Sequence, residues 1–476
     1  MIKLGEDVNI NPENILIISI SPGNEFAALV ARYLGIKNYS RLNKEVFYPD
    51  LFTGGEFNPI FLNPEKVAGK TVYIISTTDP WSLTPQERVR RMEMVAKNAK
   101  QHEAGKVIAV PVDLPYSRQD RVFFGLLRSL RNLAENYKTN GVDQVLTVHV
   151  HSNRAYSLFG EVYFESEIEQ ILDDKLLEKY PEVTAVIEEH IKNRSLVDFL
   201  DLARPGKVKI DDDGKKIFEK REYFDMENEE LVKKVLEFYD AFDKITLSFG
   251  KKIIYSLNPA PILAHYLSNN STIADKIESD GSNLVFVYAD AGARLFGESI
   301  RKYFPSASYI QIKKVREEPN DPEKVFAEID HTSDEYNGTK DKYIILPDDG
   351  TETAGTLVKA VKASRTLDGE PAGIILYFTH PWLNGTKYEE PQLSLVGTGA
   401  QEILTTNTNS NIENHRRWEF KQRNAILRIA DCVGAAIKYG FELNQNPEEV
   451  LNVGIDELDK VGNLYMTKKN PLWFGK

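Results

Sequence analysis

Cysteine is almost missing from this sequence. One residue, Cys432, stands in a chain of 476, so no intrachain disulfide can form, and that scarcity fits a reducing compartment. Positive charge is not in excess either. Lys plus Arg number 59 against 71 Asp plus Glu, a net charge of −12. Such a chain is a poor candidate for wrapping nucleic acid, although a local basic site is compatible with it. No uncharged apolar run approaches the roughly 18–20 residues that span a bilayer, so no membrane segment is expected. The opening MIKLGEDVNINPEN carries no apolar core of the secretory type, and the expected location is cytoplasmic. Short repeats, low-complexity tracts and Gly/Ser linkers are absent as well.

What the chain does have is a hydrophobic fraction of 42%, enough for real cores, and a length that suits two or three domains. Apolar, β-rich runs recur at 15–21, 71–77, 106–113, 144–151, 283–290, 309–314, 343–349, 373–380 and 402–408. Helical patterns lie between most of them, as at 25–34, 85–101 and 356–366. Near-continuous apolar strands alternating with helices predict parallel sheets covered on both faces, an α/β fold. The series breaks once. Residues 166–253, with LDDKLLEKY, VIEEHIKNR and NEELVKKVLEFYDAF, are charged and helix-leaning. We therefore expect an α/β block over 1–160, a mainly helical insertion over 166–253, a second α/β block over 254–442, and a polar extension over 443–476.

In open α/β sheets, ligands bind beyond the carboxyl ends of the strands. Four such ends carry unusual residues: RQD at 118–120, HVH at 149–151, DAG at 290–292 and DDGTETAGT at 348–356. The last is the most specific. Two carboxylates, Asp348 and Asp349, are followed by a Thr- and Gly-rich turn and then a helix. Backbone N–H groups of Thr353, Ala354, Gly355 and Thr356 at the helix start can converge on one phosphate. Small side chains let the backbone approach, and the carboxylates can meet sugar hydroxyls directly or through Mg²⁺. The plainer reading is an N-capped helix after a strand; the paired aspartates and apolar strand in front favour the phosphate site. His149 and His151, at i and i+2 on a strand, share one face and could ligate zinc, but few further soft ligands accompany them.

DDGTETAGT resembles the ribose-5-phosphate loop of the ribose-phosphate pyrophosphokinases (PRPP synthetases) and of the type I phosphoribosyltransferases. FTGGE at 52–56, PYSRQDR at 115–121, VLTVHVH at 145–151, ADAG at 289–292 and FTHPWLNG at 378–385 resemble successive PRPP synthetase motifs, in that family's order. The resemblance implies two phosphoribosyltransferase-like, doubly wound parallel-sheet domains, with the N-terminal one on the ATP side. It implies Phe52, Glu56, Arg118 and Gln119 as ATP contacts, the first two often across a subunit boundary. His151 and Asp290 would support Mg²⁺. Lys314 and Arg316 would form a mobile catalytic lid over the transferred phosphates. Asp348, Asp349, Glu352, Thr353, Ala354, Gly355 and Thr356 would hold the sugar phosphate. The implied reaction moves the β,γ-diphosphate of ATP to the anomeric hydroxyl of ribose 5-phosphate, in a homo-oligomer without nucleic acid or membrane partners.

Three departures stand out. Residues 166–253 are an insertion, and VFFGLLRSLRNLAENY replaces the usual basic run after PYSRQDR, which puts ADP/phosphate regulation and the hexamer in doubt. His149 replaces an aspartate, and Glu352 replaces an Asp in the sugar loop. Some relatives of the family pyrophosphorylate ADP-ribose in NAD⁺ rebuilding, and a non-catalytic regulatory subunit is a further reading. Against that last reading, His151, Asp290, Lys314 and Arg316 are all kept. Cys432 lies in an apolar helix and is expected to be core.

Overall fold

The computed structural model describes residues 11–21, 25–36, 39, 47–51, 53–78, 83–119, 128–191, 195–204, 208–210, 216–218, 229–316, 325–367, 369–383, 389–409, 412, 416–438 and 465–466. In chain order the strands are β1 (Ile15–Ser19), β2 (Phe47–Leu51), β3 (Phe57–Phe61), β4 (Thr71–Ser76), β5 (Lys106–Pro111), β6 (Gln144–Val148), β7 (Val208–Ile210), β8 (Lys216–Phe218) and β9 (Ile254–Leu257). There follow β10 (Leu284–Tyr288), β11 (Ser308–Arg316), β12 (Val325–Thr332), β13 (Tyr343–Thr351), β14 (Gly373–Pro381), β15 (Glu402–Thr406), β16 (Asn424–Leu427) and β17 (Tyr465–Met466).

Two sheets organise the chain. The first has the order β1-β4-β5-β6-β9 and is parallel throughout. The second has the order β12-β11-β10-β13-β14-β15-β16-β17, with a parallel centre from β11 to β16 and antiparallel partners at both edges. Burial on both faces explains the unbroken apolar strands, as in LVFVY of β10, where every residue is buried. The helix Pro85–Gln101 begins where expected because Thr84 and Glu87 form a reciprocal capping box with Pro85 at the first helical position.

One boundary moves. Residues 254–257, which the sequence pattern assigned to the second block, pair in parallel with β6 and complete the first sheet. The insertion thus sits between two neighbouring strands of one sheet. It holds helices Glu165–Ile171, Pro181–His190, Leu196–Ala203 and Glu229–Gly250, and the β7–β8 hairpin beside them, in keeping with a mainly helical element. Its core is its own, with Ile168, Val183, Phe199, Phe238 and Phe242 buried together. It meets the sheet domain where Glu229–Gly250 crosses Arg154–Tyr163. A side chain at Gly160 or Gly250 would overlap the facing backbone of Thr246 or Tyr156, so both glycines permit the close crossing.

Beneath that crossing lies a buried ionic network. Glu161 and Asp201 are fully buried. Glu161 accepts from Arg131 and Arg154, and Asp201 from Arg128 and Arg154. Asp198 adds a second bond to Arg128, and Asp243 pairs with Arg204. Arg128 precedes helix Ser129–Thr139, which is the first described element after Arg118 and Gln119.

Candidate active site

The carboxyl ends of both sheets meet in one cleft of about 200 Å³. Arg118, His149 and His151 line it from the first domain, and Asp290, Phe296 and most of 348–356 from the second. The domains are pinned together around it. The Thr78 N–H donates to the Thr408 carbonyl at 3.0 Å, and Thr78 forms a parallel bridge with Asn409. His380, buried near the end of β14, bonds the Val148 carbonyl through Nε2 at 3.1 Å.

His151 Nδ1 lies 2.6 Å from Asp349 Oδ2, so the ring N–H donates to the carboxylate across the domain junction. Burial disfavours the charge on Asp349, but the His151 bond and the nearby His149, His151 and Arg118 hold its carboxyl well below the usual range. Asp348 behaves in the opposite way. Burial, reinforced by the charges of Asp349 and Asp290, pushes it well above the usual carboxylate range. Adjacent carboxylates are therefore driven apart by their surroundings, a pattern that clusters at functional sites.

The turn after them is built around Ala354, a non-glycine residue at φ +63° and almost fully buried. Its N–H donates to Thr351 Oγ1 at 3.1 Å. This corrects the expectation that Ala354 offers its N–H to a phosphate; that donor is spent in shaping the turn. Thr353, Gly355 and Thr356 line the cleft, at the start of helix Gly355–Leu367. Glu352 is exposed there and faces Arg118 at 3.6 Å.

Asp290 caps helix Ala291–Arg301, its Oδ1 accepting from the N–H groups of Gly292 and Ala293, both at 3.0 Å. That leaves Oδ2 for any cleft role. Neither His149 nor His151 fits zinc. His149 leaves the strand alternation with φ +48°, bonds Thr379 Oγ1 through Nδ1 at 2.6 Å and packs on the Phe296 ring at 4.1 Å. Burial pulls its pKa down to about 3 against the attraction of Asp349, which leaves it neutral at pH 7. Among the described residues no group of three or more His, Cys, Asp or Glu side chains could hold a metal ion. Mg²⁺ asks less of the protein, one or two carboxylates beside substrate phosphates and water. The carboxylate oxygens of Asp290 and Asp348, which both line the cleft, fit such a hard cation. His151, expected to contact it, gives Nδ1 to Asp349, the carboxylate–histidine arrangement that orients an imidazole.

Other expected residues are placed as follows. Arg118 lines the cleft, whereas Gln119 is exposed and outside its wall. Glu56 is exposed in the β2–β3 turn, also away from the cleft wall, and Phe52 lies outside the described residues. Lys314 and Arg316 stand on β11, opposite Ala327 and Val325 of β12, in a ribbon at the sheet edge; their side chains lie outside the described residues. Cys432 is fully buried, as expected.

Sequence reasoning missed Trp382. In the β13–β14 register Gly350 faces His380, and Trp382 follows over Gly350. The Trp382 ring carries the Arg118 guanidinium at 4.0 Å. The one signal was its place in FTHPWLNG.

Fold and cleft together define an α/β protein with two main sheets, whose carboxyl ends share one candidate site. No family model matches the chain. It is 26% identical over 199 residues to the ribose-phosphate pyrophosphokinase of Chlorobaculum tepidum, covering 41% of this chain and 53%, about half, of that relative. The phosphoribosylpyrophosphate synthetase from Mycobacterium smegmatis superposes with a TM-score of 0.57 at 17% identity, covering 90% of this chain and all of that one. The chain thus shares the fold of that synthetase and resembles a ribose-phosphate pyrophosphokinase over part of its length. No helix among the described residues is long and apolar enough to cross a membrane.

Proposed function

We propose that the chain is an ATP-dependent pyrophosphokinase that moves the β,γ-diphosphate of ATP to the anomeric hydroxyl of ribose 5-phosphate, giving PRPP and AMP. The observation that carries this is the meeting of Arg118 and His151 with the 348–356 loop in one interdomain cleft. A sugar-phosphate loop alone fits many phosphoribosyl enzymes. A cation from a second, docked α/β domain adds what a phosphate donor requires.

In this reading the N–H groups and hydroxyls of the turn and helix start hold the 5′-phosphate. Asp349, kept ionised by His151, accepts from the ribose hydroxyls. The anomeric hydroxyl attacks the β-phosphorus, and AMP leaves. Arg118 offers a planar fork to the phosphates of ATP, and Lys314 and Arg316 bring further cations to the charge that builds up in transfer. Bound Mg²⁺, held by Asp290 and Asp348, would offset phosphate charge as in other phosphoryl transfers. No protein nucleophile is needed, because the work is positioning and electrostatics. Glu56, outside its own cleft wall, fits a hairpin that serves a second copy of the chain in a homo-oligomer.

The test offers Mg²⁺-ATP with ribose 5-phosphate or ADP-ribose and measures AMP. Release with ribose 5-phosphate is expected. Release with ADP-ribose alone would replace the acceptor, and none with either would favour a regulatory subunit.

A further inference from the structure

Arg118 is held mainly by an aromatic face. Its polar contacts are long: the Gly350 carbonyl at 3.3 Å, Glu352 at 3.6 Å and Asp349 at 4.0 Å. The Trp382 ring lies 4.0 Å from its guanidinium carbon. A guanidinium stacked on an indole keeps its planar edge free for two parallel hydrogen bonds, the geometry a phosphate needs.

Trp382 is itself fixed from three sides. Its Nε1–H donates to Asp113 Oδ2 at 2.8 Å. Asp113 is buried and also accepts from Thr78 Oγ1 at 3.0 Å, with Arg88 at 3.7 Å. The His380 ring stacks near parallel at 5.6 Å. Beneath, Gly350 leaves room, since a Cβ there would lie 2.5 Å from the indole. The indole therefore cannot turn without disturbing Asp113 in one domain or the sugar loop in the other.

We infer that Trp382 is a positioning residue that sets the plane and reach of Arg118 for the phosphates of ATP, with Asp113 fixing the indole. This rests on the pyrophosphokinase reading above. It makes nucleotide affinity depend on a side chain from the sugar-side domain, so the two substrate sites are aligned through one stacked pair.

The experiment measures Mg²⁺-ATP binding by equilibrium dialysis, and KM for ATP and for the sugar, in wild type, Trp382→Leu, Trp382→Phe, Arg118→Ala and the Trp382→Leu/Arg118→Ala double variant. Loss of the cation–π contact should weaken ATP binding about tenfold and leave the KM of the sugar within about twofold. Trp382→Phe, which keeps a face, should recover most of the loss. In the Arg118→Ala background, Trp382→Leu should do nothing more, because its effect passes through Arg118. A wild type that binds ATP together with a Trp382→Leu that binds equally well, or losses that add in the double variant, would overturn the inference alone. If Trp382→Leu does not fold, Trp382→Phe decides: a tenfold loss of ATP binding there contradicts a role for the face. A wild type that binds no ATP would sink both this inference and the reading beneath it.

Discussion

Asp201 is the residue on which the docking of the insertion should depend most. Its carboxylate is fully buried, with one oxygen bonded to Arg128 Nη1 at 2.9 Å and the other to Arg154. Asp201→Asn keeps the shape but removes the charge, and turns one acceptor into an N–H donor facing guanidinium donors. Breaking a buried pair by changing one partner costs about 3–5 kcal/mol, because the remaining charge is left uncompensated. Here the bonded cations number two, which places the cost toward the upper half of that range. For a unit of the insertion's size, with a urea m-value of about 1–3 kcal/mol/M, the midpoint of the insertion's own transition should fall by at least about 1 M. Denaturation followed by far-UV circular dichroism reads this directly. The exposed pair Lys244–Asp240 is the control, and Asp240→Asn should leave the midpoint where it is. If Asp201→Asn costs less than about 1 kcal/mol, the network is not what holds the insertion, and the argument from burial fails.

Two other predictions concern the cleft and one the β11–β12 ribbon. His149 has a folded pKa near 3 against an ordinary 6.5, so the unfolded chain binds more protons between those values. Stability should therefore rise with pH across that window, by up to about 1.4 kcal/mol per unit, and His149→Gln should flatten the slope in pH-dependent melts. Gly350→Ala places a methyl 2.5 Å from the Trp382 ring and 2.9 Å from the His380 carbonyl, and should weaken ATP binding several-fold in dialysis while the fold survives. Lys314→Ala should lower kcat by orders of magnitude with an unchanged circular dichroism spectrum; unchanged turnover would remove Lys314 from the transfer step.

The sheets were largely legible because their central strands are buried on both faces, which writes an apolar run into the sequence. All nine such runs are strands. β9 was placed in the wrong block because it is only IYSL, directly after a 22-residue helix, and nothing in four residues says which sheet they join. The β2–β3 hairpin was missed because Pro49 and Pro59 argue against strand, a prohibition that a two-stranded ribbon relaxes. In the site, Asp348 and Asp349 were legible because local order carries the loop. The Trp382–Asp113 bond was not, since its partners stand 269 residues apart and meet only when two sheets dock. The His151–Asp349 bond was hidden for the same reason, because its partners come from different domains. Ala354 shows the limit within a single loop, where the pattern located the turn but not which N–H the turn itself consumes.

The central claim is that two phosphates move together. ATP labelled at its β-phosphorus separates this from every simpler kinase reaction. Incubated with Mg²⁺, ribose 5-phosphate and the full chain, the label should leave the nucleotide for an acid-labile sugar diphosphate, with unlabelled AMP formed in equal amount. Label retained in ADP would show transfer of the terminal phosphate alone and would contradict the account.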